Sequence, residues 1–185
     1  MQRLLHLGAF LWAFAASQIA LSMTVKFAPT GALMLQPSSS WYHAAMGLTL
    51  DLEAKDQGFV SRLAGLERPK FSANGYEDQD WAAFLLAGTK VASFKYGGLD
   101  HSIVALAGAA RVGGWIRSTH SFDDVKKRSF MMNGPAFALE WRMRLRTFEL
   151  SAGHSMFVGF GDETQSRAFV AWPWSFFTLG AGWLL

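Results

Sequence analysis

Two alternating runs between residues 136 and 160, set back to back across one tight step, constrain this chain more than any other feature. Phe137, Leu139, Trp141, Met143 and Leu145 alternate with Glu140, Arg142 and Arg144. After Arg146, Phe148, Leu150, Ala152, Met156, Val158 and Phe160 alternate with Thr147, Glu149, Ser151, Gly153 and Ser155. Side chains point to opposite faces of a strand in turn, so each run has one apolar face and one polar face. A hairpin of this kind has to bury its charges together. Glu140, Arg142, Arg144 and Glu149 are therefore predicted to form one charge network inside an enclosed lumen, because buried charges need partners.

The 185 residues make a single domain. Hydrophobic residues are 51% of the chain, yet after the first 22 residues no segment approaches the ~20 uninterrupted apolar residues of a membrane-spanning helix. A membrane-like composition without a helical pattern fits a barrel, which spreads its lipid face over alternate residues of many short strands. The 8 Trp and 16 Phe suit the aromatic girdles of such a barrel. Extended stretches fall at about 24–36, 41–54, 58–69, 80–95, 101–117, 130–144, 147–160 and 167–185. Most reach the ~9–11 residues a tilted strand needs to cross hydrocarbon. The predicted fold is all-β: a transmembrane, antiparallel, up-and-down β-barrel of about eight strands, with a polar interior filled by side chains and no diffusion pore.

The absence of cysteine excludes disulfide frameworks, thiolate metal sites and Cys nucleophiles. The net charge of +3 is too small and dispersed to imply nucleic acid. No zinc spacing or glycine-rich phosphate cradle occurs, so neither metal nor cofactor is expected.

Residues 1–22 read as a secretory signal, with Arg3 ahead of an apolar run from Leu7 to Leu21, which leaves 23–185 as the barrel. The alternative is an uncleaved inner-membrane anchor over residues 4–23, carrying a soluble lipocalin-like barrel. The C-terminus separates the two. Thr178, Gly180, Trp183 and Leu185, with Phe177 and Leu179 continuing the same apolar row, resemble the terminal-strand signal of small Gram-negative outer-membrane β-barrel proteins. Members favour a final Phe where this chain has Leu185. The resemblance implies an outer-membrane location and recognition of the last strand by the barrel-assembly machinery.

With the N-terminus in the periplasm, residues 37–40, 69–79, 117–129 and 161–166 become outer loops, and 55–58, 97–100 and the step near Arg146 become periplasmic turns. Outer connections are mostly the longer ones, as in bacterial barrels. Some stretches alternate less cleanly. In 101–117, Val104, Leu106, Val112 and Ile116 oppose His101, Arg111 and Arg117, which places the latter set in the lumen. Arg62 and Lys90 share faces with apolar residues, and a hairpin near Gly88-Thr89 would split 80–95. Pro135 and Pro173 lack the N–H that a ladder uses and are expected at bulges or strand ends. Trp172 and Trp174 are expected in the outer girdle.

Two groups invite a functional assignment. His154 and Ser155, with Glu163 or Asp162 nearby, suggest a lipid A acyl hydrolase or acyltransferase, in which serine needs a histidine base and an orienting carboxylate. Adjacent strand residues face opposite ways, so this catalyst requires a bulge. His101-Ser102 reads as structural, and His120, Asp123 and Asp124 as solvated loop residues. Lys126-Lys127-Arg128 is the one charge run, placed to meet lipopolysaccharide phosphates. The leading expectation is a structural or interaction role, with lipopolysaccharide or a protein partner contacting loops 69–79 and 117–129.

Overall fold

A computed structural model describes residues 23–35, 42–54, 58–73, 76–118, 128–163 and 166–185. They form β1 (Met23–Leu35), β2 (Tyr42–Ala54), β3 (Phe59–Glu67), β4 (Phe71–Ala73), β5 (Tyr76–Tyr96), β6 (Leu99–Ser118), β7 (Arg128–Leu145), β8 (Phe148–Glu163) and β9 (Ser166–Leu184). Each strand pairs antiparallel with its neighbours, and β5 receives both β3 and β4. The two are one stave interrupted at Arg68-Pro69-Lys70, so nine segments build an eight-stranded barrel. Closure is by β1 on β9. There Leu185 N–H donates to Val25 O at 2.8 Å and Val25 N–H to Leu185 O at 3.3 Å.

Turn chemistry fixes which end is which. Gly97 and Gly98 have φ of 59° and 79°, the paired positive values that let a two-residue hairpin follow the strand twist. Arg146 takes φ 53° at the equally tight β7–β8 turn, and Gly58 takes φ 64° before β3. All three connections lie at the end that holds both termini, as an even number of staves requires.

Several strands run farther than the sequence suggests. β5 is not split at Gly88-Thr89; it continues unbroken, with one bulge between Lys90 and Ala92. The expected loop 69–79 is largely a raised hairpin, in which Phe71 pairs with Asp78 and Ala73 with Tyr76. The last connection also shrinks, since β8 reaches Glu163 and β9 starts at Ser166. Pro135 marks neither a bulge nor a strand end. It pairs with Ala109 on β6, while the β7–β8 ladder simply lacks pairs at Gly134 and Pro135. A missing N–H breaks only the ladder it would have served. Pro173 likewise sits inside β9, paired with Val158.

The two faces are inverted relative to a soluble protein. Phe27, Leu33, Met46, Leu48, Leu63, Leu85, Phe137, Leu139 and Leu179 are exposed on the outside. Lys26, Asp51, Glu53, Arg62, Glu140, Arg142 and Glu149 are buried inside. Charged residues are almost never fully buried unless paired, and an apolar exterior around a charged interior is the arrangement a bilayer demands. Aromatic side chains face outward near the terminal end, including Trp141, Phe148 and Trp183, and again near the opposite end at Trp81. The two sets bracket the apolar belt.

Candidate functional site

The lumen is filled in two layers. The layer nearer the termini is ionic. Asp51 on β2 accepts from Arg62 Nε at 2.7 Å and Nη2 at 2.8 Å, and from Arg142 Nη2 at 2.8 Å. Glu140 accepts two bonds of 2.7 Å from Arg62 and one of 2.7 Å from Arg142 Nε. Glu149 meets Lys26 Nζ at 2.7 Å and Arg144 Nη2 at 2.9 Å. Glu53 accepts from Arg144 Nη2 at 3.1 Å and pairs with Lys90. Four carboxylates thus neutralise four of five cations, and Arg62 forks onto two acids at once. Fork-to-carboxylate pairs add geometric specificity as well as energy.

The sequence brings together only part of this layer. Glu140, Arg142, Arg144 and Glu149 do converge, but Lys26, Asp51, Glu53, Arg62 and Lys90 complete the set. Glu149 is 1% exposed, whereas Glu77, held by Lys70 at 3.0 Å on the outer hairpin, is partly exposed. Glu149→Ala leaves Lys26 only its longer contacts to Asp51 at 3.7 Å and Glu140 at 4.0 Å, and leaves Arg144 with Glu53 alone. It should lower stability by ~3 kcal/mol or more, against less than ~1 kcal/mol for Glu77→Ala. Urea midpoints in lipid vesicles measure both; equal midpoints would contradict the ionic layer as a stabilising unit.

The layer toward the opposite end is apolar. Phe84, Phe157, Trp174, Phe176, Met34, Leu66 and Val112 are all buried there. Phe84 meets Phe176 edge-on at 5.1 Å, and Trp174 stacks between Phe176 and Phe130 at 6.3 and 6.1 Å. This corrects two expectations. Trp174 plugs the lumen rather than joining the outer girdle, and the interior is not polar throughout; the Trp172 side chain lies outside the described part. The layer also reverses β6. Val104, Leu106 and Val112 point inward, while His101, Arg111 and Arg117 face outward. His101 is stacked between Phe94 at 5.1 Å and Trp141 at 5.6 Å.

Above the apolar layer, Arg68 gathers the outer rim. It contacts Asp78 at 2.8 Å, Asp80 at 3.0 Å and His43 Nδ1 at 3.0 Å. Just outside, Gln79 donates to Glu67 at 2.5 Å. The rim is thus held by Arg68, just past β3, which ties His43 on β2 to Asp78 and Asp80 on β5.

His154 and Ser155 do not meet. Register through Gly153↔Thr178, His154↔Phe177 and Ser155↔Phe176 is continuous, so no bulge turns the histidine inward. His154 stacks on Phe177 at 4.6 Å on the outer surface. Ser155 instead lines a small lumenal cavity with Ser151, Thr30, Thr49 and Thr178. Glu163 contributes a backbone pair to Ser166, and its side chain lies outside the described part. Lys126 and Lys127 fall outside the described residues, as do His120, Asp123 and Asp124; Arg128 opens β7. Thr178 and Gly180 lie on the lumenal row of β9, and Trp183, with Phe177 and Leu179, on the outward row; Leu185 ends the chain 83% exposed. Among the described residues no cluster of His, Asp and Glu is arranged to hold a metal.

No family model matches the chain, and no curated protein matches it in sequence. Solved structures do match in fold. Ail, the attachment invasion locus protein of Yersinia pestis, aligns over 88% of this chain and 97% of its own, with TM-score 0.55 and 12% identity. It has also been solved in complex with the heparin analogue sucrose octasulfate. The N-terminal β-barrel domain of Pseudomonas aeruginosa OprF aligns over 88% and 97%, with TM-score 0.52 and 15% identity. A major outer membrane protein from Thermus thermophilus gives 87%, 99%, 0.51 and 10%. The chain shares its fold with small outer-membrane barrels.

Proposed function

We propose that this chain is an integral outer-membrane barrel that works by contact at its outer end, as a structural or interaction protein. The filling of the lumen carries the reading. Ionic side chains occupy one level and aromatic ones the other, so the interior is spent on holding the barrel and the rim is left for partners. Residues 1–22 serve as the export signal, and the Thr178–Leu185 strand, which closes the barrel on β1, is what the assembly machinery engages.

The outer contacts are assigned to segments 69–79 and 117–129. Lys126, Lys127 and Arg128 suit an anionic partner, with lipopolysaccharide the nearest at that surface; each basic side chain near an anionic surface contributes about 1 kcal/mol. Ail's complex with a sulfated sugar offers a precedent, in a protein of the same fold, for polyanion binding.

Two measurements test this. Cell fractionation should find the mature chain in the outer membrane; recovery from the periplasm or the inner membrane would sink the reading. Replacing Lys126, Lys127 and Arg128 by Gln should weaken lipopolysaccharide binding roughly tenfold or more at low salt. The difference should shrink at high salt, where exposed charges are screened.

A further inference from the structure

The reversal of β6 leaves an arginine on the lipid-facing wall. Arg111 lies in the outward row Ile103, Ala105, Ala107, Ala109, Arg111, Gly113, level with Ala83 on β5 and Asn133 on β7. It is exposed, and its Nε donates to Asn133 Oδ1 at 2.7 Å. Among the described residues no carboxylate pairs with it, although every arginine of the ionic lumen layer has one or more. The next outward row, Trp81 over Gly113, belongs to the aromatic border of the belt. Arg111 therefore sits at the outer edge of the hydrocarbon, where a cation on the lipid face costs up to ~1 kcal/mol rather than the ~2–4 of the midplane.

Below Arg111 the wall is hollow. Ala83 and Ala109 form a floor, and Leu63 and Leu85 a raised side, with Arg111 and Asn133 closing the upper end. Ala107 and Ala105 extend the floor down β6, flanked across the register by Phe137 and Leu139, both more than half exposed. From Ala105 to Arg111 is six residues of strand, or about 20 Å. That is an apolar trough ending in a cation held through its Nε. The geometry points to a lipid seat: one acyl chain of a lipid A molecule lies in the trough, and a lipid A phosphate takes the Arg111 guanidinium. Phosphate supplies the paired oxygens a guanidinium fork prefers. Asn133 holds the fork in place through its Nε, leaving both terminal nitrogens for the ligand.

This assignment rests on the outer-membrane reading, and its test is separate from it. The full barrel is reconstituted in phosphatidylcholine nanodiscs doped with bisphosphorylated lipid A. Lipid retained after transfer to detergent is read by native mass spectrometry. The unmodified barrel should keep one lipid A. Arg111→Gln should reduce retention at least about tenfold, and Arg111→Lys should keep part of it. Ala109→Phe, which fills the floor and leaves the charge, should also reduce retention. Heat-modifiable gel mobility establishes that each variant is folded; because Arg111 is exposed, Arg111→Gln decides the question even if Ala109→Phe fails to assemble. Equal retention by Arg111→Gln, equal retention of dephosphorylated lipid A, or displacement by equimolar phosphatidylglycerol would each overturn the proposal. Loss at Arg111 with Lys126, Lys127 and Arg128 intact assigns the site to the wall. Failure of fractionation to find the protein in the outer membrane would undo the earlier reading independently of the nanodisc result.

Discussion

Arg62→Ala should lower the stability of the folded barrel by about 3–5 kcal/mol, the cost of removing one partner from a buried ionic group. Arg62 donates to both Asp51 and Glu140 through four bonds of 2.7–2.8 Å. Its loss strips two carboxylates at once in a region only a few per cent exposed. Arg62→Met should recover little of the deficit, because it restores the volume of the side chain and none of the charge. Lys70→Ala, on the exposed pair with Glu77, should cost less than ~1 kcal/mol. Urea titrations in lipid vesicles compare the three. If Arg62→Met unfolds at the unmodified midpoint, the ionic layer is packing material and not an electrostatic core.

A second large effect is expected from one methyl group. A Cβ at Gly88 would lie 1.9 Å from Ala105 O and 2.8 Å from Leu106 Cα, both backbone atoms of the adjoining strand. Nothing flexible can yield, so Gly88→Ala must part β5 from β6, costing ~3 kcal/mol or more. Gly65 faces outward with nothing within 4 Å of its added Cβ. Gly65→Ala should therefore fold normally, while Gly88→Ala gives little or no heat-modifiable band. A normal yield from Gly88→Ala would mean that β5 and β6 lie farther apart than described.

Most strand positions were legible because alternation is local. The hairpin 136–160 needs no other part of the chain to declare its faces, and its charged row is indeed inside. Residues 58–69 and 80–95 resisted because their inward rows mix apolar with charged side chains, and 101–117 because its apolar row faces the lumen. Leu66, Phe84 and Val112 belong to the apolar level of the lumen, while Val60 and Val104 are apolar at the ionic level, beside Glu53 and Glu140. Arg62 shares its row with Val60 and Leu66, and Lys90 shares its row with Phe84 and Leu86. Alternation alone cannot say whether an apolar row faces lipid or an apolar plug, and on β6 that ambiguity reversed the faces. Only closure decides, by bringing β6 against neighbours whose faces are already fixed. The ionic partners were hidden for a related reason. Arg62 and Glu140 are 78 residues apart, and Asp51 and Arg142 are 91 apart, separations set by barrel register and not by local spacing. The His154–Ser155 pair failed in the other direction: neighbours in sequence, they are divided by the wall itself.

The cross-lumen bonds also have a mechanical meaning. Arg62 to Glu140 joins β3 to β7, Arg142 to Asp51 joins β7 to β2, and Lys26 to Glu149 joins β1 to β8. They act as spokes fixed to a hoop at several bearings. A hoop of hydrogen-bonded staves resists stretching around its circumference but flattens easily into an ellipse, since flattening bends the ladder without breaking it. Spokes of fixed length forbid that deformation, because widening one diameter pulls an arginine off its acid. The terminal half of the barrel should thus keep a round cross-section under the lateral pressure of a bilayer. The opposite half, whose lumen is filled by rings that slide and whose Arg68 contacts join only neighbouring staves, is the part able to change shape when something binds at the rim.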